Sequence, residues 1–150
     1  MDLGQEWKEK AAEKFLLEEE QKAEKKFRLK LSRKMIKFKS LNRSKDFLKI
    51  LKKKKINTKY YTIYFDKNSK NINKYLNISF VMKKKIGNAV TRNKIKRKLK
   101  YAVQKIARES RLIDLNYTYV IFGKNNVYKD KFENVLGEVN KAFKKIKYIN

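Results

Sequence analysis

Neither histidine nor cysteine occurs among the 150 residues. The chain therefore has no imidazole general base, no thiol nucleophile, no disulfide framework and no ordinary zinc site. Any hydrolysis in which it takes part must borrow its catalyst. Long apolar runs are also missing. None approaches the roughly 20 residues of a membrane-spanning helix, and the first residues lack the basic-then-apolar order of a secretory signal. A cytoplasmic protein without membrane association is the simplest expectation. Acids are scarce, 15 against 42 Lys and Arg, which leaves a net charge of +27.

Such a balance expects a polyanion. Nucleic acid, an anionic membrane surface and plain solubility all remain open on composition alone. With 35 Lys to seven Arg, and abundant Asn and Ile, coding bias is a further source of lysine. The acids are unevenly placed: residues 1–34 hold eight of them beside ten Lys and Arg, while the remainder carries 32 basic and seven acidic groups. The chain thus divides into an arm, 1–34, and a body, 35–150, and Met35 between them would serve as a start codon.

The arm has strong helix formers throughout, no proline, and Glu6 with Lys10 and Glu18 with Lys22 at i,i+4, so it reads as a helix. Its apolar residues Leu3, Trp7, Ala11, Phe15, Ala23, Phe27 and Leu31 recur at multiples of four. That period drifts around a 3.6-residue helix, and Glu19 interrupts it. A loosely attached arm and one docked on the body or a partner both fit.

In the body, Ser44 is placed to cap a short helix with Phe47, Ile50 and Leu51 on one face. YYTIYF (Tyr60 to Phe65) and YLNISFVM (Tyr75 to Met82) read as strands, and the turn-forming DKNSKNINK between them predicts a hairpin. The segment after Lys54 could add an edge strand. From Thr91 to Ser110 the period turns helical, with Ile95, Leu99, Ala102, Val103 and Ile106 as the core stripe. YTYVIFG (Tyr117 to Gly123) is a further strand. Phe132, Val135, Leu136, Val139, Phe143 and Ile146 mark a last amphipathic helix, with Asp130 and Glu133 spaced as a capping box. The expected fold is α+β, one small domain in the order α-β-β-β-α-β-α, plus the helical arm.

Six cationic side chains lie between Arg92 and Lys100, with no acid among them. They cannot share the stripe of Ile95 and Leu99, so they cover the exposed arc of the helix's first turns. Cations there oppose the helix macrodipole and repel one another, each effect costing up to about 1 kcal/mol. An anion at this place would reverse both costs, because backbone N–H groups and basic side chains then converge on phosphates. Gly87 permits a close turn just ahead. A solvated basic face is the alternative. The strand aromatics Tyr60, Tyr61, Tyr64, Phe65, Tyr75 and Phe80 favour nucleic acid over membrane, since one face of a sheet can stack bases while the other builds core.

GNAVTRNKIKR, Gly87 to Arg97, resembles the signature of the bacterial ribonuclease P protein family, with its Gly-Asn-Ala-Val step and Arg-Asn-x-x-Lys-Arg helix start. LNRSKDFLKIL, KYYTIYF, FVMKKKIGN and YVIFG are similar to further segments of that family, in its order, over residues 35 to 150. The resemblance implies a left-handed β-α-β crossover, an exception to the right-handed rule. It also implies the protein subunit of an endonuclease whose RNA performs Mg²⁺-dependent hydrolysis. The implied partners are the catalytic RNA and the 5′ leader of precursor tRNA; no feature points to an obligate protein partner.

By the same resemblance Arg92, Asn93, Lys94, Lys96, Arg97 and Lys100 would face RNA. Phe47, Leu51 and Phe65 would line the leader cleft, with Lys84 and Lys85 at its edge. Lys94 departs from the usual second Arg, Leu51 from Phe and Lys83 from Ser; the first exchange loses the bidentate phosphate fork and the second base stacking. A general RNA-binding or ribosome-associated module without a processing role is the alternative function.

Overall fold

The computed structural model describes residues 3–32, 36–68 and 75–149. The chain divides into two compact units, Met1–Met35 and Ile36–Asn150. The first is one helix, α1 (Leu3–Ser32). Lys10 meets Glu6 at 3.4 Å, and Lys22 meets Glu19 at 3.6 Å, one position from the predicted Glu18. Trp7, Phe15 and Phe27 are exposed.

The second unit is built on a five-stranded sheet in the order β1-β4-β5-β3-β2. Its strands are β1 (Lys37–Lys39), β2 (Lys54–Asn57), β3 (Tyr61–Lys67), β4 (Tyr75–Val81) and β5 (Tyr117–Gly123). Its helices are α2 (Ser44–Leu51), α3 (Ala89–Glu109), α4 (Asn126–Lys129) and α5 (Phe132–Tyr148). The class is the expected α+β. β2 supplies the edge strand after Lys54. β1 and α4, of three and four residues, are additions too short to leave a periodic signal. Among the described residues no helix is long and apolar enough to cross a membrane.

The predicted hairpin does not form. β5 lies between β3 and β4, antiparallel to the first and parallel to the second. Every residue of β5 except Phe122 is buried. A strand apolar on both faces is most stable at the centre of a sheet, where both faces are covered, and YTYVIFG takes that place from its neighbours. Residues 69–74 of the predicted turn lie outside the described residues.

β4 leads into β5 through α3, whose stripe Ile95, Leu99, Ala102, Val103 and Ile106 is buried as predicted. It packs with Val135, Val139, Phe143 and Ile146 of α5 on the sheet face that presents Tyr61, Ile63, Phe65, Ile78, Tyr119 and Ile121. Each large apolar side chain removed from water there stabilises the fold by about 1.5–3 kcal/mol. The Tyr61 and Tyr119 hydroxyls donate to the backbone oxygens of Glu138 and Asp114, and burial pushes both hydroxyl pKa values up. A Cβ on Gly123 would come within 2.5 Å of Met82 Sδ and 2.9 Å of Ile95 Cγ2, so α3 rests against bare backbone.

α2 covers part of the opposite face, burying Ile50. It begins at Ser44, with Arg43 in the N-cap position and no side-chain cap bond. The predicted capping box is also absent. Lys131 precedes α5, and the Asp130 carboxylate instead accepts hydrogen bonds from Tyr60 Oη at 2.7 Å and Lys59 Nζ at 3.0 Å. These bonds hold the Asp130 carboxyl below the usual carboxylate range and tie the entry of β3 to the start of α5. With a phenol and an ammonium both donating to Oδ2, the carboxylate is engaged by long-range partners rather than by the helix N-terminus.

Candidate nucleic-acid interface

Gly87 has φ of 152°, a conformation that L side chains rarely adopt. The turn it makes delivers Asn88 to the N-cap of α3, where its Oδ1 accepts from the Thr91 backbone N–H at 2.9 Å. The helix therefore starts two residues ahead of the predicted Thr91, and its first turn holds no acid.

Asn93, Lys94, Lys96, Arg97 and Lys100 are exposed. No carboxylate among the described residues pairs with these four cations. Arg92 is half-buried, and its Nε is closed off without a hydrogen-bond partner. Lys98 differs from the others in donating to the Asp130 backbone oxygen, which draws it inward. Cations without carboxylate partners and the positive end of the helix dipole make this helix start a place where phosphate lowers the energy of the charges present.

The second part of the surface is the α2 side of the sheet. Here the even-numbered residues of β3 and β5 face outward from the main core. The Phe122 ring lies 6.0 Å from that of Phe47 and 5.7 Å from that of Tyr64, with Lys83 Nζ 5.7 Å from its centroid. Beside it a groove of about 440 Å³ opens between Thr62, Lys83, Lys85, Phe122 and Lys124. A second groove, of about 720 Å³, is lined by Lys39, Arg43, Lys49, Asn77 and Thr118, together with Asp46 and Asp66, on the same sheet face. Lysines thus border an aromatic floor, which suits a single strand whose bases stack and whose phosphates meet cations.

The expected residues fall on both sides of this geometry. Phe47 belongs to the aromatic floor, and Leu51 is half-buried at the end of α2. Phe65 does not line the cleft. It is 2% exposed on the opposite face, with its ring 6.3 Å from that of Tyr117. Alternation along β3 turns its neighbour Tyr64 to the α2 side in its place. Lys85 borders the smaller groove, and Lys84 is exposed on the same 3-10 turn, Lys84–Ile86, that links β4 to α3.

Phe122 and Lys124 lie at this surface with no sequence expectation there, and Tyr64 is expected only as one of six strand aromatics, outside the cleft set. For Phe122 parity is an available signal, since with Tyr119 and Ile121 in the core it must face away; for Tyr64 it is not, because YYTIYF is aromatic at both parities. Lys124 is held by Asn57 Oδ1 at 2.6 Å and the Thr58 backbone oxygen at 2.5 Å, contacts no local pattern announces.

The family profile described as Ribonuclease P matches residues 35–147. The ribonuclease P protein component of Mesoplasma florum is 32% identical over 104 residues, 69% of this chain and 90% of the relative. That of Macrococcus caseolyticus is 44% identical over 66 residues, 43% of this chain and 56% of the relative. Among solved structures, the RNase P protein from Thermotoga maritima matches with a TM-score of 0.58 at 25% identity, over 71% of this chain and 96% of that one. The Staphylococcus aureus RNase P protein shares the fold with a TM-score of 0.59 at 23% identity, over 74% of this chain and 97% of that one. The profile takes in the body from β1 into the last turn of α5 and leaves out α1. The chain belongs to the ribonuclease P protein family, the protein component of the ribonucleoprotein endoribonuclease that matures tRNA 5′ ends.

Proposed function

We propose that the body holds the catalytic RNA of ribonuclease P against the start of α3 and the single-stranded 5′ leader of precursor tRNA along the α2 side of the sheet. In this reading Arg92, Asn93, Lys94, Lys96, Arg97 and Lys100 meet RNA phosphates, and Lys84 and Lys85 stand between the two RNA segments. Phe47 and Leu51, joined by Tyr64 and Phe122 in place of Phe65, receive the leader. The observation that carries the reading is the Phe47–Phe122–Tyr64 group with Lys83 against its middle ring. A stacking floor with its own cation is set one short turn away from an unpaired cationic helix start.

Among the described residues no three His, Cys, Asp or Glu side chains come together in a way that could hold a metal ion. A donor set this poor in carboxylates fits Mg²⁺ bound through RNA oxygens, with the protein's cations screening the phosphates around it. When bound, the Mg²⁺ stabilises charge on the hydrolysed phosphodiester. The chain's own contribution is to position the leader and to reduce the repulsion that Mg²⁺ would otherwise have to screen.

Reconstitution with a catalytic RNA and a precursor tRNA tests this directly. The protein is expected to increase leader removal at limiting Mg²⁺ and to cleave nothing without RNA. Cleavage by RNA-free protein would sink the assignment of catalysis to RNA. Absence of stimulation at every Mg²⁺ concentration would leave a general RNA-binding module.

A further inference from the structure

Along the outward side of α3, Val90, Lys94, Arg97 and Tyr101 follow at three- and four-residue steps and so share one face. Val90 is 62% and Tyr101 57% exposed, an unusual pair to leave in water on a helix whose other face is already satisfied by core. Two rings from later elements lie beside this row. Tyr128 of α4, 47% exposed, has Lys94 Nζ 5.7 Å from its centroid. Phe132 at the start of α5 has its ring 5.3 Å from that of Tyr101, tilted by 50°. The result is two aromatic stations, one beside Lys94 and one at Tyr101, residues separated by about 10 Å of helix rise with Arg97 between them.

The charges around the stations say what could cover them. Lys94, Arg97, Lys129 and Lys131 are all exposed there. Of the two nearby acids, Asp130 is turned to Tyr60 and Lys59, which leaves Glu133. An apolar protein surface laid on these rings would strip water from the surrounding cations and return nothing for it. A nucleobase brings its own phosphate. It offers a ring face to the tyrosine and a charge to the lysine in one covalent unit.

We infer that this face of α3 holds unpaired nucleobases of the RNA partner, one against Tyr128 and one against Tyr101. The interface then registers where the RNA is unstacked as well as where its phosphates run. The inference rests on the RNA-binding reading above and adds to it a stacking site remote from the α2 side of the sheet.

Its test uses the full chain and two RNA probes at one salt concentration: a fully paired hairpin, and the same hairpin with a single unpaired purine in its stem. The native protein is expected to bind the bulged hairpin about tenfold more tightly, as the stacking of one base on an aromatic ring allows. Exchanging both tyrosines, Tyr101→Ala with Tyr128→Ala, should remove that preference while the paired hairpin binds as before and the thermal midpoint holds. Tyr101→Phe with Tyr128→Phe should keep it. Equal native affinity for the two probes, or an equal loss on both in the alanine variant, would overturn the inference and leave RNA binding standing. Failure of the native chain to bind either hairpin would overturn both.

Discussion

At position 123 one methyl group is too many. Gly123 lies where α3 crosses β5, and an alanine Cβ would meet Met82 Sδ and the branched Ile95 at distances that real side chains do not tolerate. Met82 can swing away. Ile95 is fully buried and stiff at χ1. Gly123→Ala is therefore expected to destabilise the body by about 1–3 kcal/mol, the usual cost of overpacking, and a denaturant titration with an unchanged slope would register it. The contrast between Tyr64 and Phe65 shows what single residues disclose. YYTIYF is aromatic at both parities, so the sequence does not say which ring is core. Only the register of β3 against β5, Phe65 with Tyr119 and Tyr64 with Val120, assigns Phe65 inward. Asp130 teaches the same lesson: its spacing suits a cap, yet a phenol and an ammonium brought from seventy residues away claim it.

Elements were legible where a long period was present. The stripe of α3 is buried at every position that its spacing selects, and α5 follows its own pattern, because those periods record burial against a single surface. Strand adjacency leaves no such record. Nearness in sequence suggested that β3 and β4 pair, whereas β5, apolar on both faces, displaced that contact by being the strand best able to occupy the middle. The helix α1 is legible for a different reason, propensity rather than burial, since its described side chains are exposed throughout. A helix that encloses no core adds little to cooperative folding, and a near-neutral one adds little to counterion release. Removing residues 1–34 is accordingly expected to leave the thermal midpoint of the body within a few degrees and RNA affinity within about threefold. A fall of many degrees or a tenfold loss of affinity would give the arm a structural or binding role.

For the molecule as a whole, charge is the dominant fact. The body carries +25 of the net +27, and its folded form keeps Lys94, Lys96, Arg97 and Lys100 free of carboxylate partners among the described residues. Binding to RNA should then fall steeply with salt. If six to ten phosphates are contacted on a duplex, about three to five orders of magnitude of affinity are lost between 50 and 200 mM. Arg97→Ala should lower the slope of log affinity against log salt by about one contact. An unchanged slope in a well-folded variant would remove Arg97 from the phosphate face.

The position of β5 has a consequence for how such a surface comes into being. The strand at the centre of the sheet is the last one made: Tyr61 must wait for Gly123 before it has its neighbour. On the ribosome, the β2–β3 and β1–β4 pairs emerge as two fragments with open inner edges and no shared middle. Pairing over such separations is slow, and open edges attract other chains. The aromatic floor of Phe47, Tyr64 and Phe122 has no third ring, and α3 no sheet to complete its bed, until residue 123 has left the exit tunnel. A nascent chain stalled before that point would carry most of the charge of the finished protein without the folded surface that arranges it.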